Sequence, residues 1–400
     1  MSAAELNIPA GFRFAATTAG IKASGNPDLA LIEAPAGATA AAVFTQNLVV
    51  AAPVGVGRDH VAESAGDIRA ILVNAGNANC ATGKAGLKAC EKSCDELAHA
   101  IKAKPKQVIP SSTGVIGVPL PVHKLLKGIP SLLASRGESE KHVMAFTRAI
   151  MTTDTRPKIA SADFRVKGSN VRVMGMAKGA GMIHPNMATM LCYVLTDVKA
   201  SPKQLSRVLK PTVDRTFNRI SIDGDTSTND TVCLLASGKS GVSLGTSGTD
   251  RAFATALQSV CASLAEQIIA DGEGVRHVVR LNVEGAKSER EADTIARTIA
   301  HSPLVKTAWA GADPNWGRLL AAMGRSGISI DPRKVDIVFG SFSVCRRGMA
   351  VKFDEAKVHE YLSRPAVEIT IRVGRGKHRV AFLTCDLTAD YVHINADYRT

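Results

Sequence analysis

The apolar positions of the chain recur with two different spacings, which predict strands and helices in alternation. A buried strand is predicted by the continuous apolar run "IRAILVNAG". The segment 84–103 follows it and has apolar side chains at helical spacing: Leu87, Cys90, Cys94, Leu97 and Ile101. Further helices are predicted at 137–151, 202–217, 249–270 and 288–300, and a strand at 190–198. Strands that alternate with helices in this way indicate an α/β fold.

Two stretches near the C-terminus also have clear patterns. A β-hairpin is predicted by "VEITIRVGRGKHRVAFLTCDL", in which polar and apolar side chains alternate on both sides of a Gly-containing turn. The last residues, "YVHINADYRT", alternate regularly and indicate a docked tail, although disorder is the default for a terminus. With 400 residues and a renewed αβ pattern from about residue 286, the chain is expected to form two lobes, the smaller one C-terminal.

The composition narrows the class of protein. The chain is 45% hydrophobic but only 4% aromatic, so its core must be built from Ala, Val, Leu and Ile, as in layered α/β enzymes. The formal net charge is +13, yet no run of five basic residues occurs and aromatic side chains are few. This pattern argues against nucleic-acid binding and is compatible with an anionic substrate.

The cysteines and the N-terminus indicate a cytoplasmic protein. Most of the eight cysteines lie in apolar runs and none form a C-x-x-C pair, so we expect buried, reduced thiols and no metal site. No segment approaches about 18 consecutive apolar residues, which predicts that nothing spans a membrane. The N-terminal sequence has the pattern of neither a signal peptide nor a transit peptide.

The best candidate for chemistry is the segment "KGAGMIHPNMATML", residues 178–191. It is too apolar for a surface loop and too broken for a helix, and it places Ala188 and Thr189 directly before a strand. A threonine held there could attack the carbonyl carbon of its own preceding peptide bond. The N-to-O acyl shift would free an amine with a pKa of roughly 7.7–8.0, which could act as general base for the Thr189 hydroxyl. An ordinary loop that enters a strand would explain the same pattern.

Three other polar motifs lie on predicted turns. A hydroxyl and a backbone N–H could form an oxyanion hole at "SSTGVIG", residues 111–117, or this could be a plain turn. The segment "MTTDT", residues 151–155, could bind a polar ligand or could form an Asx-type turn. The carboxylate of Glu273 in "DGEG", residues 271–274, could bind an ammonium group. Alternatively, this turn only caps the preceding helix.

Taken in order, the motifs "SSTGVIG", "IMTTDTRPK", "MAKGAGMIHPNMATML", "DGDTSTNDT", "DGEG", "DPNWGR" and "INADYRT" closely resemble the ornithine acetyltransferase family, also called bifunctional glutamate N-acetyltransferase. The resemblance covers nearly the whole chain. It implies a stacked-sheet αββα sandwich, of the type shared with self-processing aminopeptidases, and a smaller C-terminal α/β lobe. It also implies self-cleavage between Ala188 and Thr189 into an α chain of residues 1–188 and a β chain of residues 189–400, assembled as an α2β2 heterotetramer.

The reaction implied by the resemblance is ping-pong acyl transfer that needs no cofactor and no metal. Acetyl passes from N2-acetylornithine to the enzyme and then to glutamate, in arginine biosynthesis. Bifunctional members of the family also accept acetyl-CoA. The alternative is a self-processing aminopeptidase or amidase of the same fold, in which water is the acceptor, because fold alone does not separate the two.

Residue roles follow from matching the family's motifs to this sequence. Thr189 is implied to be the nucleophile and its freed amine the base, while Thr113 and Gly114 match the oxyanion pair. The substrate contacts implied in addition to Thr189 are Thr152, Lys178, Glu273, Asn395 and Thr400. Thr153 and Thr155 are close rivals of Thr152. The charge of Lys178 suits an α-carboxylate, and Glu273 suits the side-chain ammonium of ornithine.

Overall fold

The computed structural model describes residues 6–166, 168–184 and 190–397, which fall into two compact units. Unit 1 holds the residues up to 218 together with 226–268. Unit 2 holds 219–225 and the residues from 269 onward. Unit 2 therefore begins within the last turn of a helix, earlier along the chain than residue 286, where the pattern of the sequence changes.

Unit 1 is built on two β-sheets. Their strands, among the described residues, are β1 (Arg13–Thr17), β2 (Leu29–Glu33), β3 (Thr39–Phe44), β4 (Ala70–Asn77), β5 (Val108–Val115), β6 (Lys158–Val166), β7 (Ser169–Lys178), β8 (Leu191–Thr196) and β9 (Thr231–Ala236). The four-stranded sheet has the order β1-β2-β4-β5, and the five-stranded sheet has the order β3-β9-β8-β7-β6. The pairs β4–β5 and β8–β9 run parallel, and the other neighbours run antiparallel.

Helices cover the outer faces of the two sheets. They are α1 (Ala52–Glu63), α2 (Gly83–Ala100), α3 (Val122–Ala134), α5 (Pro202–Arg215) and α6 (Ser247–Ala270), whereas α4 (Glu140–Ala149) contributes Val143 and Phe146 to the core between the sheets. The inner faces share one core, in which Phe14 and Val73 of the first sheet lie with Met176 and Tyr193 of the second. On the outer face of the first sheet, Leu72 packs in one cluster with side chains of α2 and α3. These layers confirm the predicted αββα sandwich.

Local sequence explains where helix α5 begins. The Ser201 hydroxyl accepts from the Gln204 N–H and Pro202 occupies the first turn, so α5 begins at 202 as predicted.

Helix α6 confirms the prediction at 249–270. By length and composition alone α6 could cross a membrane, a test that buried helices also pass, and its side chains Phe253 and Leu257 are fully buried in the protein. All eight cysteines are buried and free, as predicted.

Unit 2 contains a third sheet, of six strands, flanked by helices. Its described strands are β10 (Val278–Ala286), β11 (Asp336–Phe339), β12 (Phe342–Arg346), β13 (Met349–Ala350), β14 (Ala366–Arg372) and β15 (His378–Cys385), in the order β13-β12-β11-β14-β10-β15. Its helices are α7 (Glu289–Ala300), α8 (Pro303–Ala310), α9 (Trp316–Gly324), α10 (Glu355–Leu362) and α11 (Ala389–Asp397). Short 3-10 segments occur at Pro105–Gln107, Phe217–Arg219 and Pro332–Lys334.

The hairpin predicted for residues 367–387 is wrong, because β14 and β15 do not pair with each other. β10 lies between them, parallel to β14 and antiparallel to β15. The link 373–377 has five residues, which is enough to cross two strand spacings of about 4.8 Å. The Arg375 and Gly376 N–H groups donate to the Gly285 carbonyl at the end of β10, both at 2.7 Å. The alternation therefore identified the strands but not their partner.

Candidate active site

The site residues predicted from the sequence are divided between the two units, apart from those that lie outside the described residues. Three of them lie outside the described residues: Ala188, Thr189 and Thr400. Four lie in unit 1: Thr113, Gly114, Thr152 and Lys178. Two lie in unit 2: Glu273 and Asn395.

Lys178, the last residue of β7, joins two of the predicted hydroxyls. Its Nζ donates to Thr113 Oγ1 at 3.1 Å and to Thr152 Oγ1 at 2.8 Å. The residue is only 9% exposed, so its ammonium is largely withdrawn from water. Residues far apart in the sequence thus meet at one cation.

Thr113 and Gly114 lie at the end of β5, where the pairing with β4 is irregular. Gly114 has φ +130°, and a Cβ there would lie 2.3 Å from the carbonyl carbon of Gly76 on β4. Glycine is therefore required at this position. Because the Thr113 hydroxyl accepts from Lys178, its own hydrogen is left to donate to another acceptor.

Asp154 anchors this region, although the sequence did not single it out from the other residues of "MTTDT". Its Oδ1 accepts from Lys158 Nζ and from the Gly179 N–H, both at 2.6 Å, and its Oδ2 accepts from the Thr152 N–H at 3.1 Å. Burial acts to raise the pKa of Asp154. The charges of Lys178 and Lys158 and the Gly179 hydrogen bond outweigh burial and hold that pKa at about 2. Asp154 is therefore ionised and positions the Lys178 region.

Three lysines, Lys22, Lys158 and Lys178, gather around Asp154, and we call these four residues the lysine cluster. Lys22 donates to two backbone carbonyls at 2.9 and 3.0 Å. Burial lowers the pKa of Lys22 and Lys178 acts in the same direction, while Asp28 and Asp154 oppose them. The three lysine ammonium groups thus face the carboxylates of Asp28 and Asp154, and the excess of positive charge favours an anion.

The "DGEG" turn in unit 2 packs against the C-terminal helix α11. Asn395 Nδ2 donates to Glu273 Oε2 at 2.9 Å, and Thr388 Oγ1 donates to the Gly274 carbonyl at 2.7 Å. A Cβ on Gly274, which has φ +68°, would lie 2.5 Å from the Tyr391 backbone nitrogen. The described part of the tail is therefore docked, as predicted, and over Ala389–Asp397 it is helical.

Carboxylates gather around Tyr391 in the same unit: Asp223, Asp225 and Glu273, which we call the acidic cluster. The Tyr391 hydroxyl donates to Asp223 Oδ2 at 3.3 Å. Burial raises the pKa of Tyr391 well above its usual value, and Asp223 and Glu273 add to the rise. The phenol is therefore neutral, and the cluster offers negative charge to a cation. The described residues include no group of three or more His, Cys, Asp or Glu side chains that could hold a metal.

Comparison with known proteins decides the family, because the model of the ArgJ family matches residues 13–400. The chain belongs to the ArgJ family. It is 46% identical over 395 residues to the arginine biosynthesis bifunctional protein ArgJ of Nitratidesulfovibrio vulgaris, which covers 98% of this chain and 99% of that protein. The ArgJ of Methylococcus capsulatus is also 46% identical over 395 residues, with 98% and 96% covered.

A crystal structure of ArgJ from Bacillus halodurans is similar in fold. It is 39% identical with a TM-score of 0.50, and the match covers 52% of this chain and 98% of the solved chain. Membership of the ArgJ family confirms the resemblance drawn from the motifs. The chain is accordingly an enzyme of arginine biosynthesis, of the acetyltransferase class that the motifs predicted.

Proposed function

We propose that this ArgJ-family enzyme transfers acetyl from N2-acetylornithine to glutamate through an acetyl ester on Thr189. The observation that carries the proposal is the contact of Lys178 with both Thr113 and Thr152. It brings together a cation suited to an α-carboxylate and a hydroxyl suited to an oxyanion. Both substrates carry an α-carboxylate next to the nitrogen that holds or receives the acetyl group.

The enzyme is first activated by self-cleavage between Ala188 and Thr189. The Thr189 hydroxyl attacks the Ala188 carbonyl carbon, the C–N bond breaks, and water hydrolyses the resulting ester. The length of the Bacillus halodurans chain supports this step. That solved chain is matched over 98% of its length but spans only 52% of this chain, close to the 53% that residues 189–400 represent (212 of 400 residues).

Acetyl transfer then proceeds in two half-reactions. The freed Thr189 amine takes the proton of its own hydroxyl, whose oxygen attacks the acetyl carbonyl. The Thr113 hydroxyl and the Gly114 N–H stabilise the oxyanion, and the proton passes to ornithine as it leaves. In the second half-reaction glutamate accepts the acetyl group from Thr189, and the same proton transfers run in reverse. Lys178 polarises the Thr113 hydroxyl and strengthens its donation. The loss of one oxyanion donor typically costs about 3–4 kcal/mol.

Substrate recognition is assigned residue by residue, as the match to the family's motifs implies. Lys178 and Thr152 contact the α-carboxylate, while Glu273 and Asn395 contact the side-chain ammonium of ornithine. The carboxylates of the acidic cluster support this assignment because they favour a cation. Thr400 is proposed as a further substrate contact.

We also propose which acetyl donors the enzyme uses and how its two chains assemble. The reaction requires no cofactor and no metal. Acetyl-CoA is a second donor, a step supported by the word "bifunctional" in the names of the relatives. The two halves form an α2β2 heterotetramer in the cytoplasm.

Mass spectrometry under denaturing conditions tests the activation. We expect two fragments, residues 1–188 and 189–400, from the wild-type chain and a single intact chain from Thr189→Ala. A wild-type chain that stays whole would show that the catalytic amine never forms.

An assay with N2-acetylornithine and glutamate tests the reaction itself. We expect N-acetylglutamate as product and an acetyl label on Thr189 when glutamate is omitted. Free acetate in place of N-acetylglutamate would identify the aminopeptidase or amidase alternative. A parallel assay with acetyl-CoA and glutamate measures the second activity.

A further inference from the structure

Asp230 lies directly before β9 and carries a buried carboxyl group with an unpaired oxygen. The residue is 2% exposed, and its Oδ2 has no hydrogen-bond partner among the residues that the structure describes. Burial raises the pKa of Asp230 well above its usual value, and Ser227, Lys178 and Met190 oppose that rise. An unsatisfied buried acceptor costs about 1–3 kcal/mol, so its presence calls for an explanation.

Strand pairing places Asp230 beside the residue that follows Thr189. β8 and β9 run parallel with Leu191 opposite Thr231, so the two preceding residues, Met190 and Asp230, are neighbours. The Thr231 N–H donates to the Met190 carbonyl at 3.0 Å, and the Met190 N–H hydrogen-bonds the Asp230 carboxyl group. Bond lengths limit the separation of the Thr189 and Met190 nitrogens to about 3.7 Å. The Asp230 carboxyl group therefore contacts the N–H group of the residue that directly follows Thr189 in the chain.

We propose that Asp230 is the acid–base group that serves the Thr189 nitrogen during self-cleavage. The proposal rests on the proposed function, because it concerns the bond that self-cleavage breaks. Attack by the Thr189 hydroxyl forms a C–O bond, and breakage of the C–N bond leaves a nitrogen that needs a proton. Neutral Asp230 gives its proton to that nitrogen and is restored by the proton of the hydroxyl. The step consumes no external proton and yields an ester and an amine.

The other charged groups around this carboxyl are less suited to the role. Asp154 is ionised and committed to Lys158 and the Gly179 N–H, so it has no proton to give. Lys178 is a cation engaged with the two threonine hydroxyls. Asp230 is buried, which favours the neutral acid, and it has an oxygen that no described residue occupies.

The test is the first-order rate at which newly synthesised precursor splits, followed by denaturing mass spectrometry. Asp230→Asn keeps the size of the side chain and an acceptor oxygen but has no acid proton. We expect it to slow cleavage by at least about 100-fold, since general acid–base groups contribute about 10²–10⁴-fold. The matched control is Asp197→Asn. Asp197 is 3% exposed, its pKa is also raised by burial, and it directly follows β8 at the opposite end of that strand.

Hydroxylamine, which cleaves esters but not amides, separates the two steps of self-cleavage. We expect it to release no fragments from Asp230→Asn, because the ester has not formed. Release of fragments would place Asp230 in ester hydrolysis and overturn the proposal. Asp230→Ser is the second variant, and chains are scored only if they elute as folded protein and melt near the wild-type temperature.

The outcomes also separate this inference from the proposed function. If the wild-type chain splits and either folded Asp230 variant splits at the same rate, the role of Asp230 is wrong and self-cleavage stands. If the wild-type chain does not split, the proposed function fails first and the inference fails with it. Slow cleavage in Asp197→Asn as well would show that the loss of any buried carboxyl group next to β8 has this effect, and would also overturn the inference.

Discussion

The lysine cluster of unit 1 and the acidic cluster of unit 2 carry opposite charges, and their surroundings differ in exposure to water. Both side chains of the Asp154–Lys158 pair are 0% exposed. Near the acidic cluster, Arg276 follows Glu273 by three residues and pairs with Asp390, which directly precedes Tyr391; the side chains of this pair are 60% and 54% exposed. Buried charges must be paired to be tolerated, whereas exposed charges are screened. Substitutions in the lysine cluster should therefore affect both folding and catalysis, and those in the acidic cluster mainly substrate preference.

The largest effect on stability is expected from Lys158→Met. It leaves Asp154 in the protein interior without its closest cation, which should lower the free energy of unfolding by about 3–5 kcal/mol. Urea denaturation measures this value. The control is Arg276→Met at the exposed pair, for which we expect less than about 1 kcal/mol. Equal losses in the two variants would contradict the contrast in burial.

Lys178→Met should slow both half-reactions in fully cleaved enzyme. The expected loss in kcat/KM is about 10²–10³-fold, because truncation of one partner of a desolvated charge pair costs about 2–5 kcal/mol. Stopped-flow measurement of acetyl-enzyme formation from N2-acetylornithine and of its discharge by glutamate gives the two values. Lys178→Arg keeps the charge and should recover part of the rate. An effect on one half-reaction alone would refute recognition of the shared α-carboxylate.

Acid should remove a contribution of Asp154 to stability. The folded pKa of about 2 lies below the value of roughly 3.9 in unfolded chains, so the contribution is present above about pH 4 and is lost as the pH falls toward 2. The expected loss is about 2 kcal/mol. Denaturation midpoints between pH 5 and pH 2 measure it for wild type and for Asp154→Asn. Parallel curves for the two proteins would be evidence against the depressed pKa.

The smallest effect is expected from Glu273→Gln. Removal of a solvent-accessible carboxylate should reduce acetyl-enzyme formation from N2-acetylornithine by about 10-fold, equivalent to about 1.4 kcal/mol. Discharge by glutamate should be unchanged, since glutamate has no side-chain ammonium. Glu360→Gln on α10, at an exposed position far from the "DGEG" turn in the sequence, is the control. Equal slowing of both half-reactions would remove Glu273 from ammonium recognition.

Local sequence predicted the elements of the fold better than their pairing. The spacing of apolar residues identified α2, α5, α6 and α7, because a helix is stabilised by contacts within its own length and one buried face. It could not show that β10 lies between β14 and β15. Strand partners depend on contacts between segments 88 to 107 residues apart, and polar–apolar alternation contains no information about them.

The site was predictable to the extent that its residues lie in dense motifs. Thr113, Thr152 and Lys178 each belong to such a motif, and the structure brings them together. Lys158 was not singled out because it begins a strand, and nothing in the local sequence shows that its side chain is fully buried. Lys22 lies in an unremarkable loop, and nothing in the local sequence shows that its side chain is buried.

The order β3-β9-β8-β7-β6 has a consequence for the proposed two-chain form. A break after residue 188 assigns β8 and β9 to one polypeptide and the strands on both sides of them, β7 and β3, to the other. Each piece then supplies the hydrogen-bonding edges that the other lacks, so the pieces cannot part without melting the sheet. Once melted, they must find each other by diffusion. Recovery from denaturation would become a bimolecular process that dilution slows, even though synthesis delivers both pieces as one molecule.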